Sequence, residues 1–423
     1  MKDCSQETLG LRIRRLRLEK GMTQGELADR FVTISMISQV ESGKSIPSVE
    51  LIQHLAQRLQ ISMHELMSDK VDQMESSWQH QLAKAYLLAQ LAAEAETIFN
   101  RLLASEDRSQ AQQIELMIDL AESLYLQKKN DQALQLLRPL LAKLEQVRYE
   151  VQMLRRIHYV MGNVFYQIQK LQHAYYHYRR AYDLSLSYPN FDELAARISY
   201  QIGITLQLQD DHPEAARYLE RAYQFYSCTD NWFLLASVLF AQGVAHKGLQ
   251  EHQQARDLMI QALNLFQAAD QVEQAYLVRR TIAFAITTQE SPHSAIQELL
   301  ACLRFAQQND LHSFSAGVFA EIAEIQIQEG NLADARSSLA SAQQIIWEND
   351  LLSTQEAAKC YKIDAQLQLL VQNYSAALEN ASKSLNIFTT NGSQAERVES
   401  LQIAHKAFQE QFDRPEADAG AIE

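Results

Sequence analysis

The stretch Leu239–Leu263, LFAQGVAHKGLQEHQQARDLMIQAL, places a Gly at 243, an Ala twelve residues later at 255 and another Ala seven further on at 262. Two antiparallel helices approach closely only where their side chains are small, so Gly243 on a first helix and Ala255 on a second would close a hairpin around one point. The same offsets recur in both directions along the chain. Anchor alanines stand at Ala133, Ala174, Ala215, Ala255, Ala295, Ala335 and Ala377, with steps of 41, 41, 40, 40, 40 and 42 residues. Twelve residues before them lie Ala121, Gly162, Gly203, Gly243, Ala283, Ala323 and Ala365. Seven residues after them lie Ala181, Ala222, Ala262, Cys302, Ala342 and Ser384, with Leu140 as the exception. Ala83, Ala95 and Leu102 extend the pattern to an earlier copy. This regularity predicts an all-α stack of helical hairpins whose neighbours bury a continuous core and leave one long groove.

The chain has 423 residues, 47% of them hydrophobic, with 12 Gly and 6 Pro, a composition that argues for a folded, mostly helical protein. Its most apolar stretch, Trp232–Ala241, is about half the length of a membrane-spanning helix, and the first residues lack an apolar signal region. A cytoplasmic protein with no membrane partner is expected. Cys4, Cys228, Cys302 and Cys360 are widely separated, which indicates buried small hydrophobes rather than a zinc site or a disulfide framework. The formal charge of −14 is uneven: residues 1–70 carry ten Lys/Arg and nine Asp/Glu. The remainder is strongly acidic and would repel DNA, so any nucleic-acid contact is expected in the first segment. There Arg12, Arg14, Arg15, Arg17 and Lys20 cluster on one predicted helix.

Within residues 1–70, Leu9, Ile13 and Leu16 fall at helical spacing and Gly21 stands where a left-handed C-terminal residue belongs. Thr23 with Glu26 forms a capping box for a second helix, whose buried face is expected from Leu27, Ala28 and Phe31. After a short turn at Val32, Thr33 can cap a third helix over Ile34–Glu41, with Ile37 and Val40 inward. Ser42-Gly43-Lys44 ends it. Ser48 caps a fourth helix bearing Leu51, Leu55, Ala56 and Leu59, and Ser62 with Glu65 boxes a fifth. Five short helices with a tight turn between the second and third make a helix-turn-helix pattern.

The segments LRLEKGMTQGELADRF, ISMISQVESGK, IPSVELIQHLAQRLQIS and MHEL resemble the repressor-type (XRE, Cro/CI) helix-turn-helix over about residues 9–67. The resemblance implies that the third helix enters the major groove of double-stranded operator DNA, that Gln24 grips a phosphate, and that Arg17 pairs with Glu41. A helix N-terminus already favours an anion, which suits Gln24, with Thr23 beside it. Base contacts fall to the exposed face of the third helix, Thr33, Ile34, Ser35, Met36, Ser38 and Gln39, with Lys44 and Ser45 reaching the backbone. Gln39 can bond adenine bidentately, and Ile34 or Met36 can touch a thymine methyl or else pack on a neighbouring helix.

The Gly/Ala–Ala–Ala offsets resemble the tetratricopeptide repeat, lengthened from its usual ~34 residues to about 40. The domains are therefore expected at 1–70 for DNA binding, 71–413 for a right-handed TPR-like solenoid closed by a helix over Ala395–Phe412, and 414–423 as a disordered tail. In such solenoids the first helix of each pair lines the concave surface, and positions −6, −3, +1 and +4 from its small residue share one face. They give Arg156, Tyr159, Asn163 and Tyr166 in one repeat, then Arg197, Tyr200 and Gln207, then Phe240 and Lys247, then Arg280 and Phe284. Arg and Lys can hold a carboxylate, Asn163 can bond a peptide group both ways, and the rings make apolar pockets; ordinary wet or interhelical residues are the alternative.

Nearly the whole chain resembles the peptide-pheromone quorum-sensing regulators of Gram-positive bacteria, the RRNPP group. That implies a transcription regulator switched by a short signalling peptide in the groove, acting as a homodimer or higher homo-oligomer, with Asn163 as the peptide clamp. Alternatives are a scaffold that binds a response regulator or kinase, and a prophage repressor of similar architecture. No nucleophile constellation, phosphate loop or metal-ligand spacing emerges, so neither enzymatic activity nor a cofactor is expected. His173 and His177, four apart among tyrosines, suit a polar interhelix face better than a metal.

Overall fold

A computed structural model describes residues 9–29, 31–45, 47–61, 63, 66, 76–104, 109–146, 151–391 and 394–412, and among these the only regular structure is helix. The contacts divide the chain into two compact units, Met1–Val164 and Phe165–Glu423. The expected fifth helix at Ser62–Glu65, the boundary at residue 70, Cys4 and the tail 414–423 lie outside the described residues, wholly or in large part.

The N-terminal unit opens with α1 (Leu9–Glu19), α2 (Gln24–Ala28), α3 (Ile34–Glu41) and α4 (Val49–Arg58). Gly21 (φ +67°) ends α1, and the Met22 amide donates back to the Arg17 carbonyl at 3.0 Å, a left-handed closure that glycine adopts without steric cost. The Thr23–Glu26 capping box is formed, and the Thr33 and Ser48 hydroxyls cap α3 and α4. Ile13, Leu27, Ile37 and Leu55 make a fully buried centre. Phe31 departs from expectation: α2 stops at Ala28 because Asp29 turns left-handed, so Phe31 lies beyond the helix, 52% exposed and stacked on His54. The same unit continues with α5 (Ser76–Leu88), α6 (Ala92–Leu103), α7 (Gln110–Leu126), α8 (Asn130–Gln146) and the start of α9 (Val151–Gln167).

The C-terminal unit holds α10 (Leu171–Ser185), α11 (Glu193–Gln207), α12 (His212–Tyr226), α13 (Trp232–Gly248), α14 (His252–Ala268) and α15 (Val272–Ile282). A π-helical turn (Ala283–Thr287) extends α15 before α16 (Pro292–Gln308), α17 (His312–Gln328), α18 (Leu332–Glu348), α19 (Gln355–Leu370), α20 (Tyr374–Asn391) and α21 (Gln394–Phe412).

Every anchor alanine from Ala95 to Ala377 is fully buried. The residue facing the small position is one turn further on than the anchor itself. A Cβ at Gly203 would meet the Leu219 side chain at 2.6 Å, so the glycine is the hole for a knob at anchor +4. That column, Phe99, Leu137, Tyr178, Leu219, Met259, Leu299, Leu339 and Ala381, is buried throughout, and its varied size is why the sequence pattern hid it.

Seven residues after the small position the chain turns left-handed, at Gln90, Lys128, Gln169, Asp210, Gln250, Gly330 and Gln372. The next amide then donates back into the first helix, as Leu91 N to Tyr86 O at 2.8 Å and Asn331 N to Gln326 O at 2.8 Å, a Schellman closure repeated down the stack. The hairpin of Ala283 and Ala295 breaks this rule. Its π turn takes up the reversal, and the Thr287 and Thr288 hydroxyls donate to the Ile282 and Ala283 carbonyls. Within the C-terminal unit the stack curls far enough that the Asp210 carboxylate accepts the Ala395 N–H at 3.0 Å, joining the turn before α12 to the start of α21. Cys302 and Cys360 are fully buried, their thiols pushed up to about 11 and about 12, chiefly by burial. Among the described residues no helix is long and apolar enough to cross a membrane.

Candidate functional site

In the N-terminal unit, the face of α3 expected to read bases rests on a buried ionic lock. Arg17 Nε and Nη2 donate to the two Glu41 oxygens at 2.6 and 3.0 Å, Arg17 Nη1 donates to the Met22 carbonyl at 2.7 Å, and Gln24 Nε2 donates to Glu41 Oε2 at 2.7 Å. Burial would push the Glu41 carboxyl up, but Arg17 and Gln24 outweigh it and hold it below the usual range. The lock ties the end of α3 to α1 and α2, while the opposite face of α3 stays open. Ile34 is 58% and Met36 37% exposed, with Thr33, Ser35, Ser38, Gln39 and Lys44 also exposed. Ile34 and Met36 are therefore not core residues. Ser45 is half-buried and its hydroxyl lies 3.8 Å from the Met36 sulfur.

The cationic cluster of α1 is smaller than its sequence suggests. Arg12 is buried and donates to the Leu66 carbonyl, Arg17 is locked to Glu41, and Arg15 pairs with Glu19, which leaves Arg14 and Lys20 exposed.

Further along the same unit, Arg156 meets a carboxylate of the protein's own. Asp119, 1% exposed on α7, accepts from Arg156 Nη2 at 2.5 Å and bonds His80 Nε2 at 2.6 Å, with Lys84 Nζ at 3.6 Å. Burial opposes its charge, yet these three partners hold the Asp119 carboxyl below its ordinary value. His80, Glu115 and Asp119 are close enough for one metal ion, but Lys84 Nζ lies 2.7 Å from Glu115 and already supplies the positive charge. Asn163 is buried and Tyr159 half-buried.

In the C-terminal unit, Tyr166 and Tyr200 adjoin, and burial with Tyr166 raises the Tyr200 hydroxyl to about 12. Arg197 pairs with Glu193 on its own helix at 2.7 Å, and Gln207 Nε2 donates to the Ala241 carbonyl at 2.6 Å. Phe240 and Phe284 are half-buried. Arg280 crosses to Glu321 with two bonds of 2.8 and 2.9 Å and lies over the Phe314 ring. It passes so close to α17 that a Cβ at Gly317 would strike the guanidinium. Arg156 and Arg280, expected as receptors for an incoming carboxylate, thus bind internal carboxylates in this state. Lys247 is different: it has no hydrogen bond or ion pair, and burial together with Lys359 lowers its ammonium below the ordinary value despite Glu321 and Glu324. A cavity of about 380 Å³ opens between α15 and α17, lined in part by Leu277 and by Phe314, the ring under Arg280. His173 and His177 both lie against the Phe165 ring, the second stacked at 5.3 Å, as an aromatic interhelix face.

Sequence reasoning missed Asp119 and Glu321, both two residues before a small position, and Glu324, Lys359 and Lys362. Those last three sit at +1 of Ala323 and at −6 and −3 of Ala365, so the groove rule carried two repeats further finds them.

Residues 13–66 match the helix-turn-helix family model, and residues 194–268 match a tetratricopeptide-repeat model. No curated protein sequence gives a significant match. Among solved structures, a Rap protein complexed with competence and sporulation factor is similar with a TM-score of 0.54 at 11% identity, over 79% of this chain and 97% of that one. The Rap conjugation gene regulator of plasmid pLS20, complexed with the Phr* peptide, is similar with a TM-score of 0.50 at 12% identity, over 82% and 97%. PlcR of Bacillus thuringiensis, in complex with the peptide PapR7 and DNA, is similar at 18% identity and a TM-score of 0.42, over 64% and 99%.

The chain is therefore an all-helical protein joining an XRE-type helix-turn-helix to tetratricopeptide repeats. Its repeat part has the fold of the Rap proteins.

Proposed function

We propose that this protein is a transcription regulator, a binding protein and not an enzyme, that reads an operator in double-stranded DNA through α3 and is switched by a short peptide held on the inner wall of its repeats. The observation that carries the DNA half is the open face of α3, Ile34 to Gln39, above the Arg17–Glu41–Gln24 lock. Rigid support below and unpaired polar and methyl-bearing groups above are what major-groove reading needs. One such head covers a half-site, so the working form is a homodimer or larger. The peptide half is supported by the Rap fold of the repeats, since the pLS20 relative is solved with a peptide bound.

Selection from random double-stranded DNA, followed by anisotropy on the enriched sequence, tests the reading. Enrichment should give one motif whose affinity falls steeply with salt. Gln24→Ala should weaken all sequences alike, whereas Gln39→Ala should relax preference at one position, by about 1–3 kcal/mol. Absence of any enriched motif overturns the DNA role. A random seven-residue peptide library that neither binds nor shifts DNA affinity overturns the switch.

A further inference from the structure

The charged residues of the later first helices are nearly all spoken for. Arg280 is held by Glu321, Lys362 by Glu399 at 2.6 Å, and Lys359 lies 3.8 Å from Glu396. At the positions of the groove rule, two residues stand outside this pairing: Lys247 near the end of α13 and Glu324 on α17. Neither makes a hydrogen bond or ion pair, both are half-buried, and they carry opposite signs. They fall at +4 of Gly243 and +1 of Ala323, on the face the groove rule assigns to the inner wall. Only the hairpin of Ala283 and Ala295 lies between them in sequence, and the curl that brings the Ala395 N–H onto the Asp210 carboxylate bends this stretch of wall inward, which leaves Lys247 within electrostatic reach of Glu321, Glu324 and Lys359. Between them in chain order comes Phe284, at the matching +1 position of Ala283.

A half-buried charge without a counter-charge is costly, and two of opposite sign facing one space without meeting are costlier than a direct pair. Such groups persist where a partner arrives from outside. Burial, with Glu321 and Glu399 adding to it, raises the Glu324 carboxyl despite Lys362 and Lys359, and burial lowers Lys247, so each would gain from an arriving opposite charge.

We propose that Glu324 and Lys247 form a two-charge subsite that takes a peptide bearing a cationic group and, within about three residues of it, an anionic group. An extended peptide advances roughly 3.3–3.6 Å per residue, so that spacing matches charges within mutual electrostatic reach. The cation is a Lys or Arg side chain or a free α-amine; the anion is an Asp or Glu side chain or a free terminal carboxylate. This inference rests on the peptide reading above.

The test retains a synthetic random seven-residue library on the immobilised full-length chain, with free, N-acetylated and C-amidated arms, and sequences the retained pool by mass spectrometry. The wild type should enrich peptides with both charges. Glu324→Gln should lose the preference for the cation by about tenfold while keeping that for the anion, and Lys247→Met should do the converse. Glu324→Lys should turn the preference at that position acidic. Circular dichroism checks that each variant is folded. Loss of retention on N-acetylation or C-amidation assigns the charge to a terminus, and its persistence assigns it to side chains. A pool retained equally by all variants, with no charge preference, overturns the subsite and leaves the peptide reading standing. No retained pool at all overturns both.

Discussion

Asp119 in the N-terminal unit and Glu324 in the C-terminal unit are both carboxylates on the first helix of a hairpin, and both are largely withdrawn from water. Asp119 is ringed by Arg156, His80 and Lys84, and its carboxyl is held below the ordinary value. Glu324 has neighbours of both signs but no bonded partner, and its carboxyl is raised, chiefly by burial. The difference separates two uses of buried charge. A carboxylate whose partners are built in ties α5, α7 and α9 together, whereas one left open is a place for something to bind.

The largest expected effect comes from breaking the paired centre. Asp119→Ala leaves half-buried Arg156 with only Glu122, 3.8 Å away, and should cost about 3 kcal/mol in urea unfolding, whereas loss of Glu324 should cost nothing. Equal costs for the two would abolish the distinction.

A second substitution asks whether pairing or location matters. Arg280→Met, on the same wall as Glu324 but bonded to Glu321, should cost about 3 kcal/mol by the same measurement. A neutral result would mean that the wall tolerates loss of charge everywhere.

The smallest effect is a difference of sign with pH. The depressed Asp119 carboxyl contributes stability that is present above the ordinary aspartate pKa, about 4, and disappears as the pH falls through its lower folded value. The raised Glu324 carboxyl contributes stability that is present below the ordinary glutamate pKa, about 4.3, and is lost as the pH rises through its folded value. Glu324→Gln should therefore match the wild type in acid and be slightly more stable near neutrality, with the free chain followed by thermal melting from pH 4 to 8.

The repeat architecture was legible because close helix approach restricts a position to Gly or Ala, and that restriction recurs every 40 to 42 residues. The head was legible for a similar reason: Thr23, Glu26, Thr33 and Ser48 announce helix starts that the structure realises. Partners were not legible. Asp119 and Arg156 are 37 residues apart and Arg280 and Glu321 are 41 apart, so nothing local links them. Periodicity assigned the arginines to a face, but a face does not reveal whether a neighbour occupies its charge. The knob column escaped because Phe, Leu, Tyr, Met and Ala all fill it. Phe31 escaped because a left-handed Asp29 carries no distinctive spelling.

The hairpin closures leave this protein unfinished as a matter of engineering. Six of the seven reversals use a residue with a Cβ, namely Gln90, Lys128, Gln169, Asp210, Gln250 and Gln372, where only Gly330 relieves the crowding. Glycine at each of the other five, sparing Asp210 for its bond to Ala395, should add roughly 0.5 kcal/mol apiece after the entropy of the looser unfolded chain is subtracted. Since the five lie in separate hairpins, the gains should sum, and a hardier scaffold could be obtained without altering α3 or the residues of the proposed peptide subsite.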